Sequence, residues 1–450
     1  MRAPVWLTTC LVLLSGCGPT TTGGDLTDGG AADDASVDGV APPTGARLHG
    51  QVWGPGHQFP VAGALVAAYR ARPDDIPETI YCEECVELPP DVARTTSGPD
   101  GSFQLEVLPG QIYFLAVQKG QFRRVREYAA PTDVGDYSVE EQYTTLPSRK
   151  DQTAGDMIPN IALVFGDYDA IQDLLAKVGI GQDDGAYGLQ WGSEAGVFDV
   201  YDNSMPGSGV EHHGEPLASL LGNPARMAGY HLILFACSYN ANFDFMANAT
   251  AQANVRDYVR GGGKLYVSDY AYPVVEMPWP EFIWFTDELH GGCVENRFPD
   301  GCNHGPPFEA PSRSLDGNLS AWLLAVDSSV SGTSPTATFR TKENWDTIGS
   351  VAAGFVGVDP VSGADVTQDP KVWVEGTWNY AAEDAPPEFD RSTYHPFTVS
   401  WPFGCGRVLY TTYHTVGTTT GARHPGFLTQ ELILWYLVME LQVCQHDVLL

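Results

Sequence analysis

Two kinds of hydrophobic patterning divide the chain. Between residues 46 and 131, apolar and polar positions alternate in short runs, 47–53, 64–70, 102–107 and 111–118, each bounded by Gly, Pro or Asp-Gly turns. A period of two puts every second side chain on one face of a pleated strand, so this stretch predicts an all-β sandwich. From residue 156 to 446 the runs become continuously apolar, at 161–165, 197–201, 230–236, 264–267 and 407–412, with helical stretches between them. Strands apolar on both faces predict a parallel sheet covered on both sides. The helix 170–178 gathers Ile171, Leu174, Leu175 and Val178 on one face, with Asp169 placed to cap it. A second helix, 249–260, should stop at Gly261-Gly262-Gly263, and the last should open at Pro425 and run to about Leu441. Residues 276–400 read as a long irregular insertion carrying Trp279, Trp284, Trp322, Trp345, Trp373 and Trp378. Rings of that size are mostly core residues, although exposed ones would suit stacking on sugars or anchoring a protein partner. The polar segment 132–155, broken by Pro147, reads as a connector that permits relative motion.

The first 45 residues follow neither pattern. Arg2 precedes an apolar run, 5–14, that is too short for the ~20 residues a membrane-crossing helix needs, so it predicts an export signal. Residues 18–45 hold Asp25, Asp28, Asp33, Asp34 and Asp38 with no base and no aromatic, which cannot bury a core. As a coil of about 28 residues this stretch reaches roughly 30 Å, enough for a tether. The join between the two, Leu14-Ser15-Gly16-Cys17, resembles the lipobox of bacterial lipoproteins. The resemblance implies cleavage before Cys17, a lipid on that cysteine, and, with Gly18 next, sorting to the outer membrane. The membrane, reached through that lipid, is then a partner.

Charge narrows the partners further. With 24 Lys plus Arg against 56 Asp plus Glu, the formal net charge is −32 and no long basic run interrupts it, which excludes nucleic acid. Setting aside Cys10 and Cys17 leaves seven cysteines. In an oxidising compartment the nearest pairs are the economical expectation: Cys82 with Cys85, Cys293 with Cys302, and Cys405 with Cys444, leaving Cys237 over. The Cys82-Glu83-Glu84-Cys85 spacing also suits a redox or half-zinc motif, but the surrounding Pro77, Pro89 and Pro90 favour a loop staple. His212 with His213, and His414 with His424, lack the spacing of metal ligands, so neither metal nor cofactor is expected.

Two further resemblances add names to the patterns. Gly50-Gln51-Val52, Pro60-Val61-Ala62-Gly63-Ala64-Leu65-Val66, Asp100-Gly101-Ser102-Phe103-Gln104-Leu105 and Leu108-Pro109-Gly110-Gln111-Ile112-Tyr113 resemble the carboxypeptidase regulatory-like, transthyretin-like sandwich over 46–131, with residues 73–90 as an extra insertion. That likeness implies an accessory or ligand-contacting module and no reaction. Gly-Gly-Gly-Lys-Leu-Tyr-Val-Ser-Asp at 261–269 and Gly-Cys-Gly-Arg-Val-Leu-Tyr-Thr-Thr-Tyr-His-Thr at 404–415 resemble the class I glutamine-amidotransferase-like superfamily, notably its ThuA-like branch. The fold class this implies is multidomain: a transthyretin-like sandwich followed by an α/β, flavodoxin-like parallel sheet over 156–446. Where active amidotransferases place a nucleophilic cysteine, this chain has Ser268-Asp269-Tyr270, so the resemblance stops at the chemistry.

Ligands of open parallel sheets bind beyond the carboxyl ends of the strands. That rule collects Asp167, Asp169, Cys237, Ser238, Asn240, Ser268, Asp269, Tyr272 and His414. Cys237 fits a structural thiol better than a nucleophile. Ser268, Asp269 and His414 are the candidate catalytic set, and Asp167, Asp169, Ser238, Asn240 and Tyr272 the candidate binding set. Ser-Asp is also ordinary turn chemistry, and the expectation is an exported, lipid-anchored envelope protein that binds or scaffolds, with an envelope protein or a carbohydrate as partner. The alternative is an extracytoplasmic hydrolase of a glycan or amide working through Ser268, Asp269 and His414.

Overall fold

The computed structural model describes residues 44–82, 88–192, 197–204, 211–238, 245–285, 308–344, 348–352, 355–358, 365–368, 370–377, 393–415, 423 and 425–443. The signal, Cys17 and the tether lie outside them.

The alternating stretch forms two sheets. One has the order β4 (Ser102–Val107), β1 (Ala46–Gln51), β7 (Gly135–Ser138). The other runs β3 (Ala93–Thr96), β2 (Leu65–Tyr69), β5 (Ile112–Lys119), β6 (Phe122–Ala129), β8 (Asp156–Met157). Period-two burial is clearest in β4, where Phe103, Leu105 and Val107 are buried and Ser102, Gln104 and Glu106 face outward. The expected connector is not a hinge. Its residues Gly135–Ser138 pair in parallel with β1, and Asp156 draws Arg124 (2.9 Å) and Arg126 (2.8 Å) to the sandwich edge.

The second stretch forms a mixed α/β layer around an eleven-stranded sheet. Six strands are parallel: β11 (Glu215–Pro216), β10 (Asp199–Asp202), β9 (Ile161–Phe165), β12 (Leu232–Phe235), β13 (Lys264–Ser268) and β23 (Gly406–Thr411), in that spatial order. Both faces of β9, β12 and β13 are covered, so these central strands carry no wet side, whereas the edge strand β11 is exposed. Ile161 and Leu163 join one core while Ala162 and Val164 join the other, and β12 divides in the same way. The tryptophan-rich insertion is more regular than expected, because it continues this sheet with antiparallel strands. These are β22 (Tyr394–Phe403), β21 (Lys371–Thr377), β15 (Phe308–Ser314), β17 (Thr336–Asn344) and β16 (Ser331–Thr333). Two small antiparallel pairs, β14 (Ile283–Phe285) with β18 (Ile348–Val351) and β19 (Phe355–Val358) with β20 (Asp365–Gln368), complete it. Trp279, Trp322 and Trp373 are buried.

The helix Ala249–Arg260 covers one face through Ala251, Val255, Tyr258 and Val259, and ends at Gly261 as its sequence predicts. Gly262 follows at φ +111°, where a Cβ would also run into the Tyr81 carbonyl, so only glycine fits. The last helix is Thr429–Leu441, so Pro425 precedes it rather than opening it. Apolar on all sides, this helix is buried on all sides. It lies between the sheet and the sandwich, with Trp435 against Phe59 (6.4 Å between ring centres) and Phe122 (5.8 Å). Sandwich and sheet therefore share one core. Across that junction Lys119 Nζ meets Glu440 at 2.6 Å, Trp322 Nε1 donates to the Pro60 carbonyl at 2.8 Å, and His231 Nε2 lies 2.8 Å from the Pro77 carbonyl.

The cysteines correct the nearest-pair expectation. Cys82 is bonded to Cys405, 323 positions away, which replaces both the Cys82–Cys85 and the Cys405–Cys444 pairings. The reason is the packing just described: the loop after the second sandwich strand lies on the turn between β22 and β23, so spatial neighbours are remote in sequence. Cys85, Cys293, Cys302 and Cys444 lie outside the described residues.

Candidate functional site

Because β9, β12, β13 and β23 are parallel neighbours, their carboxyl ends rise at one edge of the sheet. The segments that follow carry Asp167 and Asp169, Cys237 and Ser238, Ser268 and Asp269, and His414 and Thr415. The strand-end rule therefore finds the neighbourhood, and the contacts within it sort into three groups.

Asp169 is the hub of the first. Its Oδ2 accepts from Ser268 Oγ at 2.6 Å, and its Oδ1 accepts from the backbone N–H groups of Ala170 (2.8 Å) and Thr415 (2.9 Å) and from the Thr415 hydroxyl. It does not cap the helix Ile171–Lys177, whose N-cap is Ala170 without a side-chain bond. Its carboxylate instead ties the end of β9 to the ends of β13 and β23. Ser268 is fully buried and donates its hydrogen bond to Asp169, which is not the geometry of a serine activated by His414.

Asp269 is the centre of the second. Its Oδ2 lies 2.6 Å from His414 Nε2 and 3.9 Å from Cys237 Sγ, and its backbone carbonyl accepts from the Tyr410 hydroxyl at 3.0 Å. It is held at φ +44°, a left-handed conformation uncommon outside glycine and asparagine. Asp269 is fully buried, and its Oδ1 has no hydrogen-bond partner among the described residues. Burial pushes its carboxyl up to about 6, with His414 pulling the other way. Cys237 Sγ, an Asp269 oxygen and a His414 ring nitrogen lie within 4.8 Å of one another, a donor set of the kind that holds a metal ion.

The third group is Ser238, whose Oγ sits 2.8 Å from Asp167 Oδ2 and 2.6 Å from the Asn203 carbonyl. Tyr272 is buried against Phe285, with 4.9 Å between ring centres; Asn240 lies outside the described residues. His212 and His213 diverge: the first meets Asp202 at 2.7 Å, the second stacks on Trp191 at 3.5 Å. His424 lies outside the described residues.

A different surface is open. Alternation in β1 and β4 turns His49, Gln51, Ser102 and Gln104 to the outer side of the three-stranded sheet, where they line a groove of about 710 Å³. Trp53, Thr95 and Asp100 also line it. The Trp53 indole stacks on His57 at 4.1 Å, and His57 Nε2 lies 3.5 Å from Glu141. The sequence marks these positions only as the polar half of an alternating strand, which is why none was singled out.

No family model matches the chain, and no curated relative does. Solved structures similar to part of it include a ThuA-like protein from Bacteroides uniformis, at 14% identity over 62% of this chain and 89% of that one, TM-score 0.32. Two proteins described as cytoplasmic from Salmonella typhimurium follow: one at 9% identity over 63% and 98% of the two chains, TM-score 0.31, the other at 10% over 64% and 100%, TM-score 0.29. Likeness at this level identifies neither a reaction nor a ligand.

Proposed function

We propose that the protein is an exported, lipid-anchored component of the bacterial envelope, at the outer membrane, that binds a carbohydrate through the groove on its sandwich. In this reading Cys17 carries the lipid and residues 18–45 are the tether. The sandwich is of transthyretin-like type and the parallel sheet of amidotransferase-like, ThuA-like type. The supporting observation is a contrast in exposure: the groove is open and lined by hydroxyl, amide, imidazole and indole groups that suit a sugar, whereas Asp269 and Ser268 are fully buried. Screening the chain from residue 18 onward on a glycan array tests it. Retention of a saccharide that His49→Ala with Gln104→Ala abolishes supports the reading, and absence of any retained glycan refutes it. The anchor is tested separately by palmitate labelling in a bacterial host, where Cys17→Ala should take up no lipid.

A second reading, hydrolysis of a glycan or amide, is favoured by one observation, the 2.6 Å approach of His414 to Asp269. It predicts that Asp269→Asn removes turnover while leaving the melting temperature nearly unchanged.

A further inference from the structure

We propose that Cys237, Asp269 and His414 bind one divalent metal ion of zinc type, which pins the ends of three neighbouring strands. The three residues follow β12, β13 and β23, which lie side by side in the sheet, so the fold itself brings a thiol, a carboxylate and an imidazole to one point. Those donors lie within 4.8 Å of one another and all three residues are buried. Sulfur and imidazole together select a borderline ion such as Zn²⁺ over a hard cation such as Ca²⁺ or Mg²⁺.

A second observation points the same way. Asp269 Oδ1 is fully buried without a hydrogen-bond partner among the described residues, an arrangement that costs free energy unless something compensates it. An ion here would exchange the direct Asp269–His414 contact for metal bonds. A thiolate and a carboxylate would balance its two positive charges. On binding, the thiol proton leaves to solvent, together with the second proton of the imidazole and the carboxyl proton of Asp269 wherever these are present. The left-handed backbone of Asp269 and the Tyr410 hydroxyl on its carbonyl fix where the carboxylate points. The inference concerns the closed edge of the sheet and stands or falls independently of the sandwich groove.

The test uses the full chain purified in detergent. Elemental analysis should find one zinc per chain. After chelation, titration with Co²⁺ should give a thiolate-to-cobalt charge-transfer band that Cys237→Ser lacks. Should Cys237→Ser fail to fold, unaltered protein still decides: zinc should protect Cys237 from maleimide, read by peptide mapping, and chelation should expose it. Substoichiometric metal with no charge-transfer band, a band that persists in folded Cys237→Ser, or maleimide labelling indifferent to zinc would each overturn the proposal. Glycan retention by the chelated protein should be unchanged.

Discussion

The sheet edge and the sandwich groove invert each other's appearance. The edge carries the residue types that advertise chemistry, Ser268, Asp269, His414 and Cys237, yet each is buried and tied to its neighbours. The groove carries modest residues, His49, Gln51, Thr95 and Gln104, in the open. Residue type says what a side chain can do; exposure and hydrogen-bond partners say what it is available for. In the function proposed above, the edge serves as a fastening and the groove as a surface.

The comparison breaks first at the edge. His414→Ala should destabilise the chain by about 3–5 kcal/mol in a denaturant titration, because it removes one partner of a buried pair and strands Asp269. A loss under about 1 kcal/mol would mean the edge is not a fastening. Replacing Cys82 and Cys405 together by alanine should cost about 2–4 kcal/mol, since that bond joins the half bearing the groove to the half bearing the edge. Equal melting temperatures with and without reductant would contradict this. Ser268→Ala should cost about 1–3 kcal/mol by depriving buried Asp169 of a donor. If a hydrolytic activity is found and Ser268→Ala keeps it, the serine is no nucleophile.

At the amino end of β12, His231 joins the two regions through the Pro77 carbonyl, and its Nδ1 accepts from the Asn160 N–H at 2.8 Å. Burial depresses this imidazole from an ordinary 6.5 to about 4, so the unfolded chain binds its proton first as pH falls. The stability of the neutral ring is present above about pH 6.5 and is lost as pH drops toward about 4. Melting temperature should fall through that window, and less steeply in His231→Gln. The smallest effect is in the groove: His49→Ala and Gln104→Ala should each change stability by no more than about 0.5 kcal/mol while weakening glycan binding.

Much of this was legible in the sequence where one physical demand dominates. Continuous apolar runs at 161–165 and 265–267 can only be buried on both faces, and the Gly261-Gly262-Gly263 stop follows from a left-handed turn against Tyr81. The site was legible as a neighbourhood, because strand ends at one edge must meet. Which donor faces which acceptor was not. Ser268 turns to Asp169 rather than His414, and Cys237 approaches Asp269, through backbone directions such as the positive φ of Asp269 that no spacing encodes. The antiparallel extension β22–β21–β15–β17–β16 was missed because its spatial order does not follow the sequence: β15 pairs with both β17 and β21 across an intervening helix and strands. The partners of Cys82 and Cys405 were misjudged because proximity along the chain stood in for proximity in space.

The measurement that tests the account most directly is calorimetric titration of an array-identified saccharide into the chain from residue 18 onward. Three proteins would be compared side by side: unaltered, His49→Ala with Gln104→Ala, and Asp269→Asn. The account predicts heat of binding for the first and third and none for the second, with the second melting where the first does. Binding lost in Asp269→Asn and kept in the groove variant would contradict it and move the functional site to the sheet edge.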